Sequence, residues 1–299
     1  MSRARITVDS TWGRARLLAT LAAGTVAALL FAAGLGLALF YGLRSTGRDA
    51  PTHLVATTVQ AAGTGPAHRD QVAARPMLQA SAEDARGSVP AAVAGPFIHV
   101  PPATGSGPAR VPTGFPRTPE GAVGQLAAIE TTVLQGMSIP QANQVYQAWA
   151  LPGGVGVAGW VLTKNVQNFL AGAGQGQTKD PVVAVTATPA AGQVKGSDGA
   201  DWVLACVLLD VRATITTQAR IAYGYCERMQ WHAGSGAGDD AATSGGGRWM
   251  LAPGDAAAPA PSTWPGTDLA VKAGWRDWVT TDATANGNTG NPAAATRAR

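Results

Sequence analysis

Two groups of residues in this chain have the type and spacing for chemistry. The first is Gly154, Gly156 and Gly159, which spell G-x-G-x-x-G, with Asp180 lying 21 residues past Gly159. A dinucleotide site needs a strand before that motif and a helix after it, so that backbone N–H groups meet the pyrophosphate. Here the preceding residues, around Tyr146 and Trp149, carry a helical pattern, and 38 glycines make a chance match easy. No cofactor is expected. The histidines, His53, His68, His99 and His232, stand apart from one another and from the cysteines. None has metal-ligand spacing, so no metal is expected.

The second group is Cys206 and Cys226, whose midpoint is Thr216. A hairpin turning symmetrically at that residue sets the two cysteines opposite each other. Opposed Cβ atoms lie about 4.5–5.5 Å apart, and a disulfide needs roughly 3.5–4.5 Å. The same register opposes Arg212 to Arg220. A shift of two residues would instead pair Asp210 with Arg220 and part the cysteines. The disulfide is the favoured reading and two buried thiols the alternative. A bridge requires an oxidising compartment, and the amino-terminal segment points to one.

No charged residue occurs between Arg16 and Arg44, and residues 17–43 are dominated by Ala, Leu, Gly, Val and Phe. About twenty such residues cross a bilayer as a helix. Trp12 and Tyr41 lie near the ends, where aromatic rings favour the interface. Arg3, Arg5, Arg14 and Arg16 precede the run, so the positive-inside rule places residues 1–16 in the cytoplasm and the rest outside. A cleaved signal peptide would have a shorter apolar core and a small-residue cleavage site. The reading is therefore a single-pass cell-membrane protein with the lipid bilayer as its first partner. Gly24, Ala28, Ala32 and Gly36 recur at the four-residue spacing that allows helix self-association, although a run so rich in alanine produces the spacing by composition alone.

From residue 45 onward, 17 basic residues meet 17 acidic ones. A nucleic-acid binder would show a basic face, so nucleic acid is not an expected partner. Gly and Pro number 38 and 20. Nine of the prolines fall in residues 44–112, which read as a disordered Ala/Pro/Gly linker. The run Phe97-Ile98-His99-Val100 is the one part of it expected to dock.

The folded region is expected over 113–255. Thr118-Pro119-Glu120 has the residues of a helix start, and Ala122, Leu126, Ile129 and Val133 follow on one face until Gly136. Ser138-Ile139-Pro140 opens a second helix carrying Val145, Tyr146 and Trp149. A third, over 157–170, is expected to bury Trp160, Val161, Val166 and Phe169 or Leu170. Strands are then predicted over 182–188, 202–215, 220–232 and 248–251, with a long hairpin connection over 233–247. Residues 256–279 read as a linker and a short helix from 267 to 278, and 280–299 as a disordered tail. Helices followed by a half-buried antiparallel meander make an α+β domain with helices on one face of a curved sheet.

A basic tail, one anchor, a stalk and a small helices-then-sheet ectodomain resemble the VirB-type and TcpC-type scaffold proteins of bacterial conjugation and type IV secretion. Those carry nuclear-transport-factor-2-like domains. The stretches Gly114-Phe115-Pro116-Arg117-Thr118-Pro119-Glu120-Gly121-Ala122-Val123 and Ser262-Thr263-Trp264-Pro265-Gly266 are similar to actinobacterial membrane proteins of mobile elements. The resemblance, over residues 113–279, implies an extracytoplasmic scaffold whose partners are other membrane or envelope proteins, and it carries over no catalytic residue. Conical domains of this kind sometimes hold an Asp/His/Tyr pocket, for which Asp210, Tyr223 and Tyr225 are the candidates. Asp210 falls on the more polar face of its strand, so pairing with Arg212 or Arg220 is the expected alternative. With no nucleophile or paired carboxylate at workable spacing, a non-enzymatic role is expected. A small-ligand-binding or enzymatic domain tethered to the membrane is the rival.

Overall fold

The computed structural model describes residues 63–87, 89–214, 218–234 and 246–281. The membrane segment expected over 17–43 lies outside them. Among the described residues no helix is long and apolar enough to cross a membrane.

The helices start where their caps dictate. Helix α1 is Pro66–Ala74. Helix α2 is Pro119–Gly136, with the Thr118 side chain accepting from Gly121 N and Met137 closing it in the left-handed region. Helix α3 is Ile139–Trp149, capped by Ser138. A single turn, α4 (Gly156–Gly159), precedes α5 (Val161–Gly172). The strands are β1 (Phe97–Val100), β2 (Gly105–Ser106), β3 (Pro112–Thr113), β4 (Ala184–Asp198), β5 (Trp202–Thr214), β6 (Gln218–Ala233), β7 (Gly247–Leu251) and β8 (Arg276–Thr280), with α6 (Asp268–Lys272) before the last.

The main sheet runs β1-β8-β4-β5-β6-β7. The β4 to β7 meander is antiparallel, but β1 pairs with β8 in parallel, so the sheet is mixed. This corrects the antiparallel expectation. Strands 97–100 and 276–280 are far apart in the chain, and the helical layer and the meander between them supply the long crossover that parallel pairing needs. Strand β4 is twice the expected length. It passes Pro189 because the register shifts between Pro189 and Ala191, and a bulge is where a sheet tolerates proline.

One face of the sheet carries the expected core. Leu126, Ile129, Val133, Trp149, Trp160, Leu162 and Val166 pack against Val203, Val207, Leu209, Tyr225 and Met229. Leu162 takes the buried place expected of Val161, which is only half-buried. The other face was expected to be polar and is not. Cys206, Leu208, Cys226, Ala85, Ala270 and Trp275 form a second cluster, and Val72, Ala73, Trp202 and Leu204 a third.

That cover comes from segments expected to be linker. Helix α1 is pinned by two ion pairs at neighbouring residues. Arg69 Nε donates to Asp198 at 2.5 Å, and the buried Arg228 donates to Asp70 at 2.7 Å. Val72 sits so close to β4 that a Cβ at Gly196 would lie 2.6 Å from it. The final helix starts where expected, capped by Thr267, but stops at Lys272, with Gly274 at φ +90° turning the chain into β8. A piece cut at 113 and 255 would therefore uncover Leu204, Cys206 and Leu208. A solvated second face would suit a meander, but a face carrying these side chains must be covered.

Candidate functional site

Strand β6 has a neighbour on both sides only where β7 reaches it, at Met229–Ala233. Towards its start, only β5 pairs with it. Two straps close over that uncovered edge. The Ala222 N–H donates to the Ala85 carbonyl at 2.7 Å, and the Gly224 N–H to Ser262 Oγ at 3.0 Å. Gly224 permits the second contact, since a Cβ there would stand 2.6 Å from the Pro261 carbonyl oxygen. Between the straps, β6 and α5 lies a cavity of about 540 Å³. Mostly small apolar residues of 78–85 and 256–262, with Val161, make most of its wall, while Asn165, Tyr223, Tyr225 and Glu227 make its polar side.

The alternation of β6 places Tyr223, Tyr225 and Glu227 on the helix-facing side, where each is held by a partner. Asn165 Nδ2 donates to Tyr223 Oη at 2.6 Å. The Tyr225 hydroxyl donates to Glu227 Oε2, and Trp160 Nε1 donates to Tyr225 Oη at 3.0 Å and to Glu227 Oε2 at 3.3 Å. The Arg228 N–H donates to Glu227 Oε1 at 3.1 Å. The two tyrosine rings are near-parallel with centroids 6.3 Å apart, and Tyr146 tilts against Trp160 at 5.2 Å.

Burial dominates the electrostatics. It pushes both phenols well above their ordinary value, and the nearby carboxyls push the same way. Burial also raises the Glu227 carboxyl, against the opposing pull of its hydrogen bonds from Tyr225, Arg228 and Trp160. Glu130, on α2, is wholly buried with both carboxyl oxygens unpartnered, and burial lifts it well above the carboxylate range. The phenols are therefore fixed hydrogen-bonding groups, and the acids are reluctant to ionise without a nearby positive charge.

Of the three pocket candidates, the structure brings together Tyr223 and Tyr225 and excludes Asp210. Asp210 lies on the opposite face, bonded to Arg220 at 2.6 and 2.7 Å and to Arg212 at 3.0 Å. Arg220 in turn lies 4.4 Å over the Trp264 ring. Sequence reasoning missed Glu130, Trp160's polar role, Asn165 and Glu227. Glu227 had a legible mark, since it continues the Tyr223, Tyr225 alternation. Glu130 had another, being an acid beside Ile129 and Val133 on the apolar face of a helix. Asn165 had none, because its partner is 58 residues away.

The disulfide is present between Cys206 and Cys226, with Cα atoms 4.0 Å apart. Its register does oppose Arg212 to Arg220. Asp210 relieves that repulsion by reaching diagonally to Arg220 while also accepting from Arg212. Both pairings weighed as alternatives thus coexist in one register. Cys226 also lines the cavity.

The glycine motif follows helix α3, not a strand, and Tyr146 Oη occupies its turn by accepting from Gly156 N at 2.9 Å. His68 lies on α1, His99 on β1 and His232 on β6, and His53 is outside the described residues. Among the described residues no group of three His, Cys, Asp or Glu could hold a metal ion. No protein-family model matches this chain, and no curated protein or solved structure matches it either.

Proposed function

We propose that this chain is a single-pass membrane protein whose extracytoplasmic domain, of nuclear-transport-factor-2-like type, binds a small molecule in the cavity at the open edge of β6. The observation that carries the reading is the wall itself. A cavity of about 540 Å³, mostly apolar, has four polar side chains, Asn165, Tyr223, Tyr225 and Glu227, converging from one side. Size and lining match those of small-molecule sites, where a few placed polar groups orient a ligand held by apolar contact. The disulfide and the arginines before residue 17 support an oxidising location for the domain.

The test has two parts. Ligand-observed NMR with a fragment library against the full-length protein should find binders that Ala82→Trp, a bulky change in the cavity wall, excludes. Binders unaffected by Ala82→Trp, or none at all, would remove the reading. Reporter fusions should place residue 110 outside the cytoplasm and residue 5 within, and the reverse would end the topology.

A second reading, an assembly role in a conjugation or secretion apparatus through contact with other envelope proteins, is favoured by one surface. Strand β1 ends the sheet with Phe97 54% exposed, and the segment leading into it exposes Val89 at 80% and Val93 at 77%. Such an edge suits strand addition by a partner. A photo-crosslinking residue at 97 in the native membrane should capture a discrete protein, and capture of lipid alone would count against this reading.

A further inference from the structure

We infer that the cavity at the β6 edge takes a cationic ligand, a quaternary or protonated amine, whose charge sits between the Tyr223 and Tyr225 rings and the Glu227 carboxylate. The inference rests on the ligand-binding reading and names its ligand class.

The first observation is an imbalance of charge. Among the described residues lining the cavity there is no Lys, Arg or His, and Glu227 is the only acid. An anionic ligand would meet that carboxyl with no compensating cation. A neutral ligand would leave the carboxyl as it stands. A cation would complete the site.

The second observation is how Glu227 is held. Its oxygens accept from the Tyr225 hydroxyl, Trp160 Nε1 and the Arg228 N–H. Three neutral donors solvate a negative charge without cancelling it. That arrangement suits an ionised carboxylate, while burial alone works against ionisation. A positive charge in the cavity would resolve the conflict, since attraction between charges is strong where water is excluded.

The third observation is aromatic. Tyr223 and Tyr225 present near-parallel rings on the cavity wall, 6.3 Å apart, with Trp160 and Tyr146 packed beside them. Ring faces attract cations, and recognition of quaternary ammonium groups uses such surfaces.

The groups around Glu227 define its pH response. On its own strand they are Tyr223, Tyr225 and Arg228. From α2 comes Glu130, whose charge is felt at both phenols. From the α5 side come Trp160 and Asn165, neither ionisable in this range, and the cavity-lining residues of the two straps carry no charge. Arg228 is already engaged by Asp70 and by the Asp255 carbonyl. The groups whose ionisation a cation would reward are thus Glu227 first and Glu130 second, so cation affinity should rise with pH.

The experiment compares choline with 3,3-dimethylbutan-1-ol, its uncharged isostere, by saturation-transfer NMR on the full-length protein in non-ionic detergent. Choline should bind at least ten-fold tighter than the alcohol. Its affinity should rise with pH from 4 to 8 while that of the alcohol stays flat. Glu227→Gln should remove the preference without touching alcohol binding. Should that variant fail to fold, the pH profile of the unmodified protein still decides. Soluble dihexanoyl phosphatidylcholine as a competitor separates a lipid headgroup from a free amine as the source of the ammonium. Equal affinity for choline and the alcohol, both lost in Ala82→Trp, would overturn the cation assignment and leave the pocket reading standing. Binding of neither, with no fragment binders, would overturn both.

Discussion

Trp275 tests whether the residues beyond 255 belong to the core. It is 2% exposed and packs with Ala85, Cys206, Leu208 and Cys226 on the sheet face away from the helices. Its Nε1 donates to the Pro261 carbonyl at 3.1 Å. Trp275→Ala removes a fully buried indole, a change that costs about 3–5 kcal/mol through lost transfer energy and the cavity left behind. The Pro261 oxygen loses its donor, which places the cost towards the upper end. For a domain of this size each kcal/mol lowers Tm by about 2–4 °C, so the melt should fall by roughly 10–20 °C. Trp275→Phe keeps much of the buried ring and loses the N–H, and should cost about 1–2 kcal/mol. Near-UV circular dichroism melts of residues 63–281 measure all three proteins. A shift of under about 2 °C for Trp275→Ala is what a solvated linker gives, within about 0.5 kcal/mol of neutral. That result would refute the two-faced core.

Three further outcomes follow from the same geometry. Asp210→Asn should cost about 1–2 kcal/mol near neutral pH, because Arg220 foremost and then Arg212 hold the Asp210 carboxyl below its ordinary value. A lowered folded pKa stabilises above the unfolded value of about 3.9, so the deficit in denaturant melts should shrink as pH falls below about 4. Glu130→Met should stabilise the fold by about 1–3 kcal/mol at pH 7, since it removes two buried oxygens with no partner. The folded Glu130 keeps its proton above the unfolded pKa, so the wild type should lose stability as pH rises from about 4.3 and the variant should lose less, a difference readable in urea midpoints. Replacing Cys206 and Cys226 by alanine should cost about 3 kcal/mol for a closed loop of some 20 residues, checked by the same titration without reductant.

What the sequence determined by itself was local. Thr118 and Ser138 cap the helices they announce, because a cap hydroxyl and the backbone N–H it accepts from are three residues apart. The cysteine register follows from a symmetric hairpin, whose partners are set by counting from the turn. The failures share another cause. The residues Trp202-Val203-Leu204-Ala205-Cys206-Val207-Leu208-Leu209 are all buried, and such an unbroken apolar run marks a strand covered on both faces. Reading only its odd positions hid the need for a second cover. What would supply that cover could not be read from residues 63–96, because α1 has little helical periodicity. It is held by Arg69 to Asp198 and by Asp70 to Arg228, contacts 129 and 158 residues apart. The cavity has the same origin. Glu227, Asn165, Trp160 and the two straps meet only once β6 is left unpaired along its outer edge. That follows from where β7 stops, which tertiary packing decides and no local pattern states.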